Sequence, residues 1–458
     1  MGAVRGTFVD FVDDPWNHPG DETAAVRFVH DGPLVVDDGV IADFGPHDEV
    51  AARRPDAAQN ATRIADRIIL PGFVDGHAHV PQTRILGAYG EQLLPWLEKW
   101  VFPEERKYFE AEYARAGIGR FFDNLLASGT TTVQAFTTAK RVTTELLFKE
   151  AARRDVRIVT GITAIDRNAP EWAMTTPERF LADSEELIAR FHGEGRASYA
   201  ITPRFALGAS PELLAACGRL RAEHPDLHVH THISEHPDEI RGVLAMYPDC
   251  ADYLQVYERF GLVGPRFTGG HGVWLSDSEF ARLSRAGAAV TFCPCSNLYL
   301  GSGLFPLGRA KDPAHPVRLS LGSDIGGGNR FSMLHVLDEA YKVGMLRSAA
   351  ATDPREAERG RLSWARAFYS ATLGGAASLY LDDRVGGFDV GKEADFVVLD
   401  WREGPPGADW HASLLWDEPG TPDDLETVGE LLFAIMMVGD DRAVAETWIA
   451  GERRYRRA

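Results

Sequence analysis

Between residues 68 and 321 the chain repeats one pattern, a short apolar strand-like run followed by helical or inserted material. The runs lie at 68–74, 131–136, 157–165, 198–205, 227–233, 267–275, 288–293 and 317–321. Helical stretches fall between them, at 143–154, 177–191, 211–223 and 276–286, and another follows the last run at 333–343. Near-continuous apolar runs separated by amphipathic helices read as parallel strands, buried on both faces and joined by crossovers. Eight repeats predict an α/β chain built on a (β/α)8 TIM-like barrel, whose chemistry sits at the C-terminal ends of the strands. A doubly wound open sheet is the rival, but no GxGxxG turn follows any of the runs.

The flanks read differently. β-favouring segments at 4–12, 26–30 and 33–44 alternate with turn clusters such as Asn17-His18-Pro19-Gly20 and Asp37-Asp38-Gly39. Similar material returns at 395–399, 445–449 and 453–456. The expected organisation is a barrel over 68–387 and a small β-sandwich domain built from both chain termini, 1–67 and 388–458. A net charge of −19 argues against nucleic acid or an anionic membrane as partner, since both repel an acidic surface. No apolar run approaches the ~18 residues of a membrane span. The opening MGAVRGTFVDFVDD lacks a basic start with an apolar core, so the cytoplasm is the expected location. Four cysteines in 458 residues predict no disulfide framework, and Cys293-Pro-Cys295 reads as ordinary strand sequence.

The strand ends carry the chemistry. The first run ends in Asp75-Gly76-His77-Ala78-His79, and residues two apart on a strand face the same way. Two imidazoles converging at a barrel mouth can hold a transition metal. The fifth run places His228, His230 and His232 on one face. Only His232 reaches the C-terminal end, so it is the third candidate ligand. The two deeper histidines read as hydrogen-bonded core. Glu235, three residues on, can turn back over the metal as a proton shuttle. His271 sits among Gly269, Gly270 and Gly272, where glycine permits close approach of a ligand. The eighth run ends at Asp324, a carboxylate suited both to ligation and to taking a proton from water. The zinc deaminases of the other kind pair His-x-Glu with Pro-Cys-x-x-Cys. Here the His-x-Glu at His47 lies outside the barrel, and no Pro-Cys-x-x-Cys occurs.

This ordered set resembles the amidohydrolase superfamily, and longer strings resemble its guanine deaminases. These strings are PQTRILGAYGEQLLPWLEKWVFPEERKY at 81–108, YAITPRFA at 199–206, HTHISEHPDEI at 230–240, SNLYLGSG at 296–303, ATLGGAASLYL at 371–381 and GFDVGKEADFVVLD at 387–400. The resemblance runs over nearly the whole chain. It departs from the family at Gly76, Val80, Leu207-Gly208 and Gly269-Gly270, positions where the shape of the purine pocket is expected to differ. The resemblance implies one divalent metal per subunit, Zn2+ with Fe2+ as alternative, held by His77, His79, His232 and Asp324. It implies that Asp324 takes a proton from water, that His271 steadies the attacking oxygen, and that Glu235 delivers protons to the ring and the leaving amine. It assigns the purine to Gln82, Arg204 and Phe205, with Trp96 and Trp100 as candidate lining and Asn297 as a candidate support. It also implies a homodimer. Deamination of a related ring (8-oxoguanine, a pterin, a cytosine-like pyrimidine or an s-triazine) is the alternative. A non-catalytic scaffold is the remote one, because such a chain would have lost ligands that are all present here.

Overall fold

The turn clusters near the N-terminus separate strands of one mixed sheet. In this computed structural model, which describes residues 2–89 and 92–458, β1 (Gly2–Phe11), β2 (Val26–Asp37), β3 (Val40–Phe44) and β4 (Thr62–Pro71) come first. Gly90 and Glu91, within the 81–108 string, lie outside the described residues. Alternation along β4 divides two cores. Ile69 joins Val4, Phe8, Leu34, Ile41 and Phe388 in a cluster private to this sheet, while Ile68 and Leu70 face the main core.

The barrel strands follow as β5 (Phe73–His79), β6 (Thr130–Phe136), β7 (Arg157–Gly161), β8 (Thr163–Ala164), β9 (Ala197–Pro203), β10 (His228–Ile233), β11 (Phe267–His271), β12 (Ala289–Phe292) and β13 (Arg318–Leu321). The terminal sheet is completed by β14 (Phe396–Leu399), β15 (Val444–Ile449) and β16 (Glu452–Arg456), in the order β16-β15-β14-β4-β1-β2-β3. A parallel ladder runs β5-β6-β7-β9-β10-β11-β12-β13, with β8 a short continuation of β7 that also pairs with β9. The ring is drawn shut just beyond β13, where the Asp324 N–H donates to the His77 carbonyl and the His79 N–H to the Ile325 carbonyl, both at 2.8 Å.

One boundary differs from the sequence reading. The run at 68–74 is two strands, not one: 68–71 finishes β4 in the terminal sheet, and the first barrel strand is β5. The end of β4 and all of β5 are buried on both faces, so the apolar run passes unbroken through Gly72. That glycine is needed for close packing, since a Cβ there would lie 2.2 Å from the Thr131 hydroxyl.

Helices Pro177–Phe191 and Pro211–Glu223 have the bounds read from sequence. Each is started by a hydroxyl N-cap, Thr176 or Ser210, with proline at the first helical position. Cys293 and Cys295 are not strand residues. Cys293 caps helix Pro294–Tyr299 and Cys295 lies within it, and all four cysteines are buried and free. The C-terminal segment is not all strand either. Helices Ala408–Leu415 and Leu425–Val438 interrupt it, and Phe433 of the second meets Tyr341 of helix Met333–Ala350 edge-on at 5.3 Å. Among the described residues no helix is long and apolar enough to cross a membrane.

Candidate active site

The strand ends bring His77, His79, His232, Glu235, His271 and Asp324 to one buried point at the barrel mouth. Three of the backbones that carry or precede them are in the left-handed region, at φ 49° for Ser234, 73° for His271 and 47° for Asp324. Non-glycine residues rarely adopt it, and such strain persists where surrounding structure fixes it, commonly at functional sites. Here it turns the chain sharply at the ends of three different strands.

The ring nitrogens are oriented from behind. His77 Nδ1 pairs with His230 Nε2 at 2.8 Å, so the deeper histidine is core, as its position implied, and it also aims its neighbour. His232 Nδ1 donates to the Arg204 carbonyl at 2.5 Å, which leaves Nε2 as the bare lone pair. That nitrogen sits 3.1 Å from His79 Nε2. Asp324 Oδ1 lies 3.4 Å from His77 Nε2 and 3.3 Å from His79 Nε2. Burial first, then neighbouring imidazoles, lowers the pKa of all three rings well below the ordinary histidine value. Three neutral imidazoles thus turn nitrogens onto one point beside a carboxylate, and buried His77 Nε2 has no hydrogen-bond partner. Lone pairs facing lone pairs in a buried site are costly, and a divalent cation between them satisfies the whole set. The donor chemistry fits a His3Asp metal site.

Glu235 and His271 form the second layer of chemistry. Their nearest atoms are 3.5 Å apart, and His271 Nε2 lies 3.8 Å from Asp324 Oδ2. Burial raises the Glu235 carboxyl from 4.5 to about 7; His271 opposes this, while Glu239 and Asp324 add to it. Burial disfavours a charged His271, yet the carboxylates of Glu235 and Asp324 outweigh it and raise its pKa. The pair can therefore hold a transferable proton near neutrality. Ser302 donates to Glu235 at 3.2 Å, and His271 Nδ1 meets Asn297 Oδ1 at 2.9 Å. Asn297 thus supports the site from behind His271 rather than lining it.

A cavity opens over these groups. Gln82, Arg204 and Phe205 are in its wall, as is Trp96, with Leu93, Leu97 and Leu300. Trp100 packs in the same apolar cluster without reaching the cavity. None of Gly76, Val80, Leu207, Gly208, Gly269 and Gly270 lines it. The sequence departures therefore lie behind the pocket.

Several buried carboxylates were not foreseen. Asp75 accepts from the backbone N–H of His77 at 3.2 Å and of Ser323 at 3.0 Å, and from the Ser323 hydroxyl, tying the two ligand segments together. Glu239 accepts from the backbone N–H of Glu235 at 3.0 Å and from the Tyr253 hydroxyl at 2.6 Å. Its local signal was available, because His236 and Glu239 stand at capping-box spacing at the start of helix Pro237–Met246. Glu105 contacts Arg204, and no local pattern announced it.

Residues 68–454 match the amidohydrolase family. The guanine deaminase of Escherichia coli is 43% identical over 460 residues, covering 100% of this chain and 98% of that protein. The crystal structure of guanine deaminase from Bradyrhizobium japonicum superposes with a TM-score of 0.97 at 59% identity, covering 100% of both chains. That of C. acetobutylicum, with guanine bound in its active site, gives 0.85 at 27% identity, covering 99% of this chain and 100% of that one. The chain belongs to the amidohydrolase family, and within it to the guanine deaminases.

Proposed function

We propose that the protein hydrolyses the exocyclic amine of guanine, giving xanthine and ammonia. The observation that carries this reading is a cavity in which three neutral imidazoles and Asp324 converge beside a protonatable Glu235. His77, His79, His232 and Asp324 would hold one divalent metal, Zn2+ with Fe2+ as alternative, which when bound brings the pKa of water toward ~7. Asp324 accepts a proton from the attacking water. His271 steadies the oxygen as the ring carbon becomes tetrahedral. Glu235 protonates the ring nitrogen beside that carbon, takes up the proton that the hydroxyl gives up as the carbonyl forms, and passes it to the departing amine; the proton on Asp324 then returns to Glu235. A C–O bond forms, a C–N bond breaks, and ammonia leaves. Gln82 and Arg204 hold the purine edge, and Phe205 packs on its face.

In this reading the catalytic unit is 68–387, less the end of β4, and the unit made of 1–67 and 388–458 is a buttress. We also take the enzyme to be a cytoplasmic homodimer acting in purine catabolism.

The direct test is to count metal in the purified protein and follow xanthine and ammonia after adding guanine. One metal per chain and equimolar products are expected. Metal with guanine untouched would remove guanine as substrate and turn the comparison to 8-oxoguanine and isoxanthopterin.

Arg204→Met checks the substrate contact. Loss of one or two charge-assisted hydrogen bonds is expected to raise the guanine KM roughly 10- to 100-fold, with a smaller change in kcat. The Tm should also fall, because Glu105 is left buried without its ion-pair partner. An unchanged KM would remove Arg204 from the substrate contacts.

A further inference from the structure

Behind the cavity wall, Glu105 is buried with its side chain 6% exposed. Its Oε1 accepts from Arg204 Nη1 at 2.8 Å and lies 3.5 Å from Gln82 Nε2. Phe102, one helical turn earlier in helix Phe102–Lys107, lies under the Arg204 guanidinium at 5.7 Å. One short helix therefore holds Arg204 by its charge and by its face. On the other side of Gln82, the Gly326 N–H donates to Oε1 at 3.2 Å. The amide is thus fixed at both ends. Turning it over would set its oxygen against the Glu105 carboxylate and its NH2 against the Gly326 N–H. Both contacts of the flipped amide leave buried polar groups mispaired, which costs more than a single hydrogen bond gains.

We propose that Glu105 is a positioning residue that makes this wall of the pocket a donor array, through Arg204 and Gln82, and so selects purines with a carbonyl rather than an amine at position 6. The inference rests on the guanine reading above and adds what sets its selectivity. Arg204 has donors left over after Glu105 takes one, and Gln82 keeps an N–H. A purine carbonyl accepts from such a wall. An exocyclic amine in its place would set N–H against N–H, and a site built to hydrogen-bond one group rejects the analogue that cannot reciprocate.

The test compares guanine with 2,6-diaminopurine, which has the same amine at position 2 and an amine at position 6, in the unchanged protein and in Glu105→Gln and Glu105→Asp. In Glu105→Gln the guanine KM is expected to rise at least tenfold with kcat changed less than about threefold. The preference for guanine over 2,6-diaminopurine should shrink at least tenfold, with metal content unaltered. Glu105→Asp, which keeps the charge, should retain most of the preference. Equal losses on both substrates, or an unmoved preference, would reduce Glu105 to a prop for its helix. Should Glu105→Gln fail to fold, the unchanged protein still decides. Hypoxanthine must then inhibit at least tenfold more tightly than adenine, and equal inhibition overturns the donor wall. An unchanged protein that ignores guanine but retains the hypoxanthine preference would sink the guanine reading and leave the donor wall standing.

Discussion

Glu235→Gln is expected to slow guanine turnover by roughly 10²- to 10⁴-fold while keeping its metal. Glutamine has the same size and can still accept from Ser302, so the loop keeps its shape. What disappears is the proton that the buried carboxyl holds near neutrality. The carboxyl binds that proton more tightly folded, at about 7, than at its ordinary 4.5. The folded state therefore loses stability as pH rises through that window, and the glutamine variant is relieved of this loss. Its Tm should match or exceed that of the unchanged protein at pH 7 to 8. The check is kcat from xanthine absorbance beside metal content by mass spectrometry. Turnover within tenfold of normal would place the proton donor elsewhere, and loss of metal would make Glu235 a structural residue.

The second large effect is expected from His232→Ala. This ring turns Nε2 toward the proposed metal point and uses Nδ1 to hold the Arg204 carbonyl, so alanine removes a proposed ligand and loosens a pocket residue together. Without bound metal, water returns from a pKa near ~7 toward about 15.7, and activity should fall by at least about 10⁴-fold. Chelation of the unchanged protein should give the same loss. Returning Zn2+ should restore the chelated protein and leave the variant inactive. A variant that binds metal stoichiometrically and deaminates guanine would overturn the ligand set.

How much of this was written locally in the sequence varies with the kind of signal. Helices 177–191 and 211–223 could be bounded because a hydroxyl cap and a proline mark their starts. The end of β4 could not, because apolar runs buried on both faces carry no period to show where one strand stops. Helix Ala111–Ala127 carries a readable signal, since Ala114, Ile118, Phe121, Phe122 and Leu125 make a plain buried stripe. In the site, the histidines and Asp324 were legible since strand ends in a barrel share one mouth. Glu105 was not. Its neighbour Glu104 turns to Lys107 and Tyr113, whereas Glu105 reaches Arg204, just past the end of β9, and nothing local distinguishes the two.

The seam between β5 and the segment after β13 has a consequence for the life of the chain. The hydrogen bonds that shut the ring join residues about 250 positions apart, and two proposed ligands lie on its first strand while another follows its last. A nascent chain with only its early strands therefore displays His77 and His79 with nothing to complete them. It can neither hold the metal as proposed nor attack a purine until the eighth strand has left the ribosome and docked. Hydrolytic competence in this way certifies a completed barrel: a stalled or clipped chain lacking the last barrel strand is silent rather than partly active.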